Sequence, residues 1–389
     1  MNIVIFANPP FFGSQPTPPF MSMPRFANML AEGMKKRGHR VVVWAPRSTF
    51  FGLVKKGSVK KWLGYIDQYL VFPILVKRLI STCTPDTLFV FTDQAQGPWV
   101  PLVKDKHHVV HCHDFLAQFS ALGKVKEQRV GWTGRKYQGF IRSGLRKAKY
   151  FISVSNKTHS DLLEVLNQKD KNAYVVYNGL DKCYQPEDPI KARVILSAKI
   201  DVALNGGYLL HVGGNQWYKN RRGVVAIYNA WRSTSRSRLP LLLVGQKPSQ
   251  DLEDAIDGSP FKGDIHVVSN LSDIYVRYAY SGATLFLFPS LAEGFGWPIA
   301  EAMASGCPVL TTNASPMTEV GGNAAFLMPV YERTKENTWA ALGAQAVEKV
   351  VSMTAEERAL IVQRSIANAK RFDQKTALDQ IEDIYYNIA

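Results

Sequence analysis

Only four cysteines occur in this 389-residue chain, Cys83, Cys112, Cys183 and Cys307, and no two stand at metal-ligand spacing. A disulfide framework and a cysteine-based zinc site are thereby set aside, and the expected compartment is reducing. No apolar run reaches the length that crosses a bilayer; the nearest, residues 69–76, is interrupted by Pro73. The start lacks the pattern of a secretory leader, since Met-Asn-Ile-Val-Ile-Phe-Ala reads as a first strand, so the expectation is a cytoplasmic protein. The G-x-G-x-x-G dinucleotide fingerprint is missing from the loop after that strand, where Gly13 stands alone. Disorder is excluded by an apolar fraction of 46%, and the length suits two domains.

Positive charge is in excess, and unevenly so. Residues 1–185 carry 27 Lys and Arg against 11 Asp and Glu, a net +16, whereas residues 186–389 carry 20 against 21. One half is expected to meet an anionic surface. In residues 54–80, Lys55, Lys56, Lys60 and Lys61 edge an apolar helical stripe of Val59, Trp62, Leu63, Ile66 and Leu70. Residues 124–149 hold nine Lys and Arg against Glu127, interleaved with Trp132, Tyr137 and Phe140. Such stretches suit an anionic lipid surface; the alternative is a core-packed helix with a solvated basic edge. A polyanion-binding protein is the non-enzymatic reading of the same charge.

Apolar runs at residues 2–7, 40–45, 87–91, 108–111 and 150–155 alternate with helical patterns. The alternation resumes at 207–212, 240–245, 265–268, 283–288 and 309–312, which makes the class α/β. A polar, proline-bearing segment at 183–189 is the natural hinge. The expected domains are 1–185 and 186–370, with a terminal amphipathic helix in 371–389. The strand at 108–111 ends in His111-Cys112-His113-Asp114, where alternation puts both histidines on one face. A zinc pair, a satisfied core histidine and a ligand-binding histidine are the three readings.

Residues 283–312 carry the densest chemistry. A buried-strand pattern ends at Pro289-Ser290, a loop holds Glu293, Gly294, Phe295 and Gly296, Pro298 opens a helix that Gly306 closes, and a second apolar strand follows. Loop amides and the positive end of the helix dipole suit phosphate or sugar oxygens. The carboxylates Glu293 and Glu301 repel phosphate but accept from hydroxyls. A sugar joined to a diphosphate satisfies both. The alternative is an αβ turn whose glycines only permit the turn and whose Glu301 faces solvent. A second turn of this kind, Gly213-Gly214-Asn215-Gln216-Trp217-Tyr218-Lys219-Asn220-Arg221-Arg222, supplies cations that neutralise a diphosphate.

Glu293-Gly-Phe-Gly-Trp-Pro-Ile-Ala-Glu301, with the following Ala-Met-Ala-Ser-Gly-Cys-Pro-Val and the later Glu319-Val-Gly-Gly, resembles the signature of the retaining family-4 glycosyltransferases. The resemblance implies a GT-B fold, two Rossmann-like domains facing a central cleft, with the terminal helix crossing back to the first. It implies that Glu293 holds hydroxyls of the donor sugar, that Glu301 binds the nucleotide ribose, and that Gly294, Phe295 and Gly296 serve the same donor. Lys219 and Asn220 match the family's lysine-asparagine pair. The family's arginine falls at Gly214, which leaves Arg221 or Arg222 to substitute. Leu271 falls where the base is held by backbone groups. The Gly13 loop faces donor phosphate or acceptor, and His113, with Asp114 beside it, lies near the sugar. No two aspartates are separated by a single residue, so the D-x-D metal site of the other large glycosyltransferase fold is absent. The expectation is a metal-independent enzyme without a required cofactor. It would take a hexose from a UDP- or GDP-sugar to a glycan, lipid-linked, in cell-surface or exopolysaccharide synthesis, with peripheral contact on an anionic membrane and no nucleic-acid partner. A glycosyltransferase with a soluble acceptor and a GT-B phosphorylase are the rival enzymes.

Overall fold

A computed structural model of the chain describes residues 1–12, 22–55, 57–125, 127–168 and 172–389. Two compact units emerge from the contacts: Met1–Tyr177 together with Lys375–Ala389, and Asn178–Gln374.

The first unit is built on β1 (Asn2–Phe6), β2 (Arg40–Trp44), β3 (Leu88–Phe91), β4 (His108–Cys112), β5 (Tyr150–Ser153) and β6 (Asn172–Val175). They form one parallel sheet in the order β2-β1-β3-β4-β5-β6. The two-residue period of a strand explains the two cores. Ile3 and Ile5 join Val90 and Val109 against Phe26, Leu30, Leu378 and Ile381 on one face. Val4 and Phe6 join Phe89, Phe91 and Val110 against Phe72, Trp99, Ile141 and Leu145 on the other. The terminal helix Gln374–Ile388 is docked by polar contacts as well. Asp379 accepts from Arg37 at 2.6 Å, and the Tyr385 hydroxyl lies 2.7 Å from His111 Nε2.

The second unit holds β7 (Leu209–Gly213), β8 (Leu241–Gly245), β9 (Ile265–Ser269), β10 (Leu285–Phe288), β11 (Val309–Thr312) and β12 (Phe326–Met328). Its parallel order is β12-β11-β10-β7-β8-β9. Gly245, at φ 147°, sits opposite Gly213, whose carbonyl oxygen a Cβ at Gly245 would strike. This unit begins at Asn178, ahead of the expected boundary at 185/186. The reason is a long-range pairing: Leu180 bridges Asp373 and donates its N–H to the Phe372 carbonyl at 2.6 Å, so entry and exit of the unit are bound together.

In each sheet the chain runs outward one way, returns, and runs outward the other way. The switch falls between β1 and β3 in the first unit and between β7 and β10 in the second. In open parallel sheets the loops part at such points and leave a crevice at the carboxyl ends of the strands.

Candidate functional site

Both glycine-bearing loops foreseen in the sequence leave the β7/β10 switch point of the second unit. Three ties hold them together. Leu291 N–H donates to the Tyr218 carbonyl at 2.7 Å. Asn220 Nδ2 donates to the Pro289 carbonyl at 3.1 Å. Lys219 Nζ pairs with Glu293 Oε1 at 2.8 Å. Asn220 adopts a left-handed conformation at φ 51°, and its Oδ1 accepts from Gly223 N–H, capping the helix Arg221–Thr234. Its side chain is thus committed to the frame of the site.

On the other loop, Gly296 at φ 98° enters the helix Trp297–Ala304, with Pro298 in the first turn. The Phe295 ring packs edge-on against Phe372 at 5.4 Å, so this residue's side chain belongs to the core. Glu301, in the second turn, is 6% exposed and accepts from the Tyr280 hydroxyl at 3.1 Å. The reading in which Glu301 faces solvent is thereby overturned. Burial, and next to it the Glu301 charge, pushes the Tyr280 hydroxyl well above its ordinary range, which keeps it a proton donor to the carboxylate. Glu293 is likewise buried, 9% exposed, and Lys219 lies over the Phe288 ring at 5.0 Å.

The two arginines part company. Arg222 is exposed. Arg221 is buried, and its Nη1 donates to Asn215 Oδ1 at 2.6 Å and to the Gln246 carbonyl at 3.0 Å. Its Nε and Nη2 are buried without a protein hydrogen-bond acceptor, and burial lowers its pKa to about 10. Through Asn215, whose N–H donates to Gln246 Oε1 at 3.0 Å, Arg221 latches the Gly214 loop onto the loop after β8. Leu271 follows Asn270, at φ 59°, beyond the end of β9, the edge strand. Beneath Lys219, His211 is fully buried. Its Nδ1 donates to the Leu287 carbonyl at 2.9 Å, which leaves Nε2 a lone-pair acceptor, and Nε2 has no hydrogen-bond partner. Burial first, then Arg221 and Lys219, holds its pKa down at about 3.

In the first unit, His113 follows β4 and is 6% exposed. Its Nε2 lies 3.0 Å from the Thr92 carbonyl, which can only accept, so Nε2 carries the proton and Nδ1 is the acceptor. Burial depresses its pKa, against the opposing pull of Asp93 and the Thr92 carbonyl, and the ring is neutral. Asp114 is half-buried and accepts from Leu116 N–H at 3.1 Å. His111, packed on Phe26 and bonded to Tyr385, is a core histidine. Nε2 of His111 is taken by Tyr385 and Nε2 of His113 by Thr92, and nothing in the structure supports the zinc reading: among the described residues no three His, Cys, Asp or Glu are grouped to hold a metal. Gly13 lies outside the described residues.

The sequence reading missed the polar network that fills the β1/β3 switch point. Asn8 Nδ2 donates to Asp93 Oδ2 at 2.6 Å, Ala95 N–H to Asp93 Oδ1 at 2.8 Å, and Gln96 Nε2 to Asn8 Oδ1 at 3.0 Å. Gln94 Oε1 accepts from the His113 N–H at 2.9 Å. The available signal was the polar run Thr92-Asp93-Gln94 directly after a buried strand. The two basic-aromatic stretches do pack together. Tyr69 and Tyr137 share a hydroxyl contact of 2.8 Å, and the Phe140 ring meets Tyr69 at 5.6 Å. Trp62, Leu70, Ile74 and Trp132 stay exposed around them. Lys56 lies outside the described residues.

Known proteins bear on this geometry as follows. Residues 23–182 match the model of Glycosyltransferase Family 4, and residues 206–343 that of Glycosyl transferases group 1. The O-antigen chain mannosyltransferase B of Escherichia coli is 28% identical over 247 residues, 63% of this chain. The MMP alpha-(1->4)-mannosyltransferase of Mycolicibacterium hassiacum is 29% identical over 275 residues, 67% of this chain. The matched stretch spans 62% of the length of each relative. Among solved structures, the Anabaena protein HepE in complex with UDP and glucose superposes with a TM-score of 0.72 at 16% identity, covering all of both chains.

Proposed function

The chain belongs to the family-4, group-1 glycosyltransferases of the GT-B fold, and from that premise we propose that it transfers a mannose-type hexose from a nucleotide diphosphate sugar to a glycan of the cell surface, with retention of anomeric configuration. The observation that carries this is the pairing, at one switch point, of the half-buried Lys219 with the buried Glu293, with a second buried carboxylate, Glu301, on the helix that follows. Lys219 meets the diphosphate, Glu293 the sugar hydroxyls and Glu301 the ribose. Mannose is supported by the two curated relatives, both named as mannosyltransferases. A nucleoside diphosphate donor is supported by the UDP bound to HepE.

As the bond from the sugar to the diphosphate breaks, negative charge grows on the leaving oxygen. A fixed cation stabilises that charge more than it stabilises the ground state. Lys219 supplies it, with the loop amides and helix N-terminus at Gly296 adding partial positive charge. This is the basis for expecting turnover without a metal ion. The first unit takes the acceptor, with His113 Nδ1 accepting from a sugar or acceptor hydroxyl. Its Trp62–Tyr65–Tyr137 face, with Lys61 over the Tyr65 ring and Lys136 over the Trp132 ring, rests on anionic lipid, which presents a lipid-linked acceptor. Among the described residues no helix is long and apolar enough to cross a membrane.

The test is sugar transfer from radiolabelled GDP-mannose and a panel of UDP-sugars, with and without lipid extract, each with and without EDTA. Transfer into the lipid fraction that survives EDTA and fails in Lys219→Ala supports the reading. Transfer only to soluble glycans moves the acceptor out of the membrane. Activity abolished by EDTA and restored by manganese refutes the metal-free part.

A further inference from the structure

Lys219 and Glu293 carry opposite tasks in the reading above, yet in the free protein they serve one another. The ammonium lies 2.8 Å from the carboxylate, and the side chains are 14% and 8% exposed. The backbones beneath them are fixed relative to each other by the Leu291–Tyr218 and Asn220–Pro289 bonds. Neither charge is therefore relieved by a loop drifting away; the lysine has to be drawn off by a ligand.

We propose that this ion pair makes the site discriminate between the intact nucleotide sugar and the free nucleoside diphosphate. The inference rests on the donor-binding reading. A diphosphate competes with Glu293 for Lys219 Nζ. With a sugar attached, the hydroxyls of the sugar donate to the carboxylate as the lysine turns to the phosphates, and both buried charges stay paired. Without the sugar, Glu293 is left buried, short of a donor and close to an anion. The diphosphate alone therefore binds against a penalty that the whole donor does not meet. Once transfer has removed the sugar, the same penalty loosens the product. The discrimination uses charges already in the site, and neither base nor sugar identity enters it.

Calorimetric titration of the full chain with GDP and with UDP tests the idea in four proteins: the parent, Glu293→Gln, Lys219→Met and the double variant. Glutamine keeps the shape of the side chain and an acceptor oxygen, and removes the negative charge that holds the lysine. Glu293→Gln should bind the diphosphate about tenfold more tightly, the factor set by freeing one charge-assisted hydrogen bond. Product inhibition should strengthen in proportion. The control is the Lys219→Met background, where the same change removes only the repulsion between carboxylate and phosphate. There the gain should shrink to about threefold or less. Equal gains in both backgrounds mean plain repulsion and overturn the proposal, as does unchanged or weaker binding by Glu293→Gln. Should Glu293→Gln not fold, Glu293→Asp, whose shorter side chain lengthens the pair, should shift binding in the same direction. A parent that binds neither diphosphate, with Lys219→Met indistinguishable from it, refutes the donor-site reading itself.

Discussion

Replacing Glu301 by Gln probes the ribose contact with little disturbance to the fold. The carboxylate is 6% exposed and held by the Tyr280 hydroxyl at 3.1 Å. Glutamine keeps the length of the side chain and a carbonyl oxygen for Tyr280, so only the charge is removed. A hydrogen bond to a charged acceptor contributes about 1.5–3 kcal/mol and one to a neutral acceptor about 0.5–1.5, a difference of about 1 kcal/mol per bond. Two ribose hydroxyls then make about 2 kcal/mol, which at 1.4 kcal/mol per decade is a roughly thirtyfold loss of affinity for GDP or UDP. Isothermal titration measures it, and a melting curve within about 4 °C of the parent shows that the fold is kept. The decisive arm uses the 2′,3′-dideoxynucleoside diphosphate. Lacking both hydroxyls, it should bind parent and variant alike. An equal loss with the dideoxy ligand moves Glu301 away from the ribose. No loss with either ligand refutes the placement of the donor at this helix.

Two further outcomes follow from burial and charge. His111 and His211 each have a pKa near 3 in the folded chain, below an ordinary value of 6.5, because burial disfavours the cation. The unfolded chain takes up these protons first, so stability is full above about pH 6.5 and falls toward pH 3, by about 1.4 kcal/mol per pH unit for each histidine. Urea unfolding at pH 7.5 and pH 5.5 reads this, and His111→Gln should flatten the first unit's share; a stability independent of pH across that window contradicts it. Cosedimentation with liposomes should rise with anionic lipid and fall with salt, since screening acts within about 8 Å at physiological ionic strength. It should fall again when Lys55, Lys60 and Lys61 are changed to Ser, and equal pelleting with neutral vesicles argues against lipid as the partner of the aromatic face.

How much of this was legible beforehand depended on whether the signal was local. The strand–loop–helix–strand at 283–312 was readable because each of its parts declares itself within a few residues: an apolar run, two loop glycines, a first-turn proline. The amphipathic stripe at 54–80 was readable for the same reason. Its packing was not, because the side that is covered depends on Tyr137 and Phe140, which meet Tyr69 from a distant helix. The structure also breaks that stripe with a π turn at Asp67–Val71, just before Pro73, which has no N–H to give to the carbonyl of the turn behind it.

Arg221 and Arg222 pose the same problem in miniature. Side by side at a helix start, neither is singled out by the sequence, and what sets Arg221 apart as the buried one is its bonding to Asn215 and the Gln246 carbonyl. The Asn8–Asp93–Gln96 network was missed because its members are brought together only by the pairing of β1 with β3, and each alone looks like an ordinary loop residue. Glu301 is the instructive case. Its identity was visible as one half of a spaced pair of glutamates, but spacing alone left it free to face solvent. What removes that freedom is Tyr280, a residue with no recognisable place in any motif, whose hydroxyl reaches the carboxylate from the helix Asp273–Gly282. A motif names the groups that meet the ligand; the groups that hold those in place have to be read from the packing.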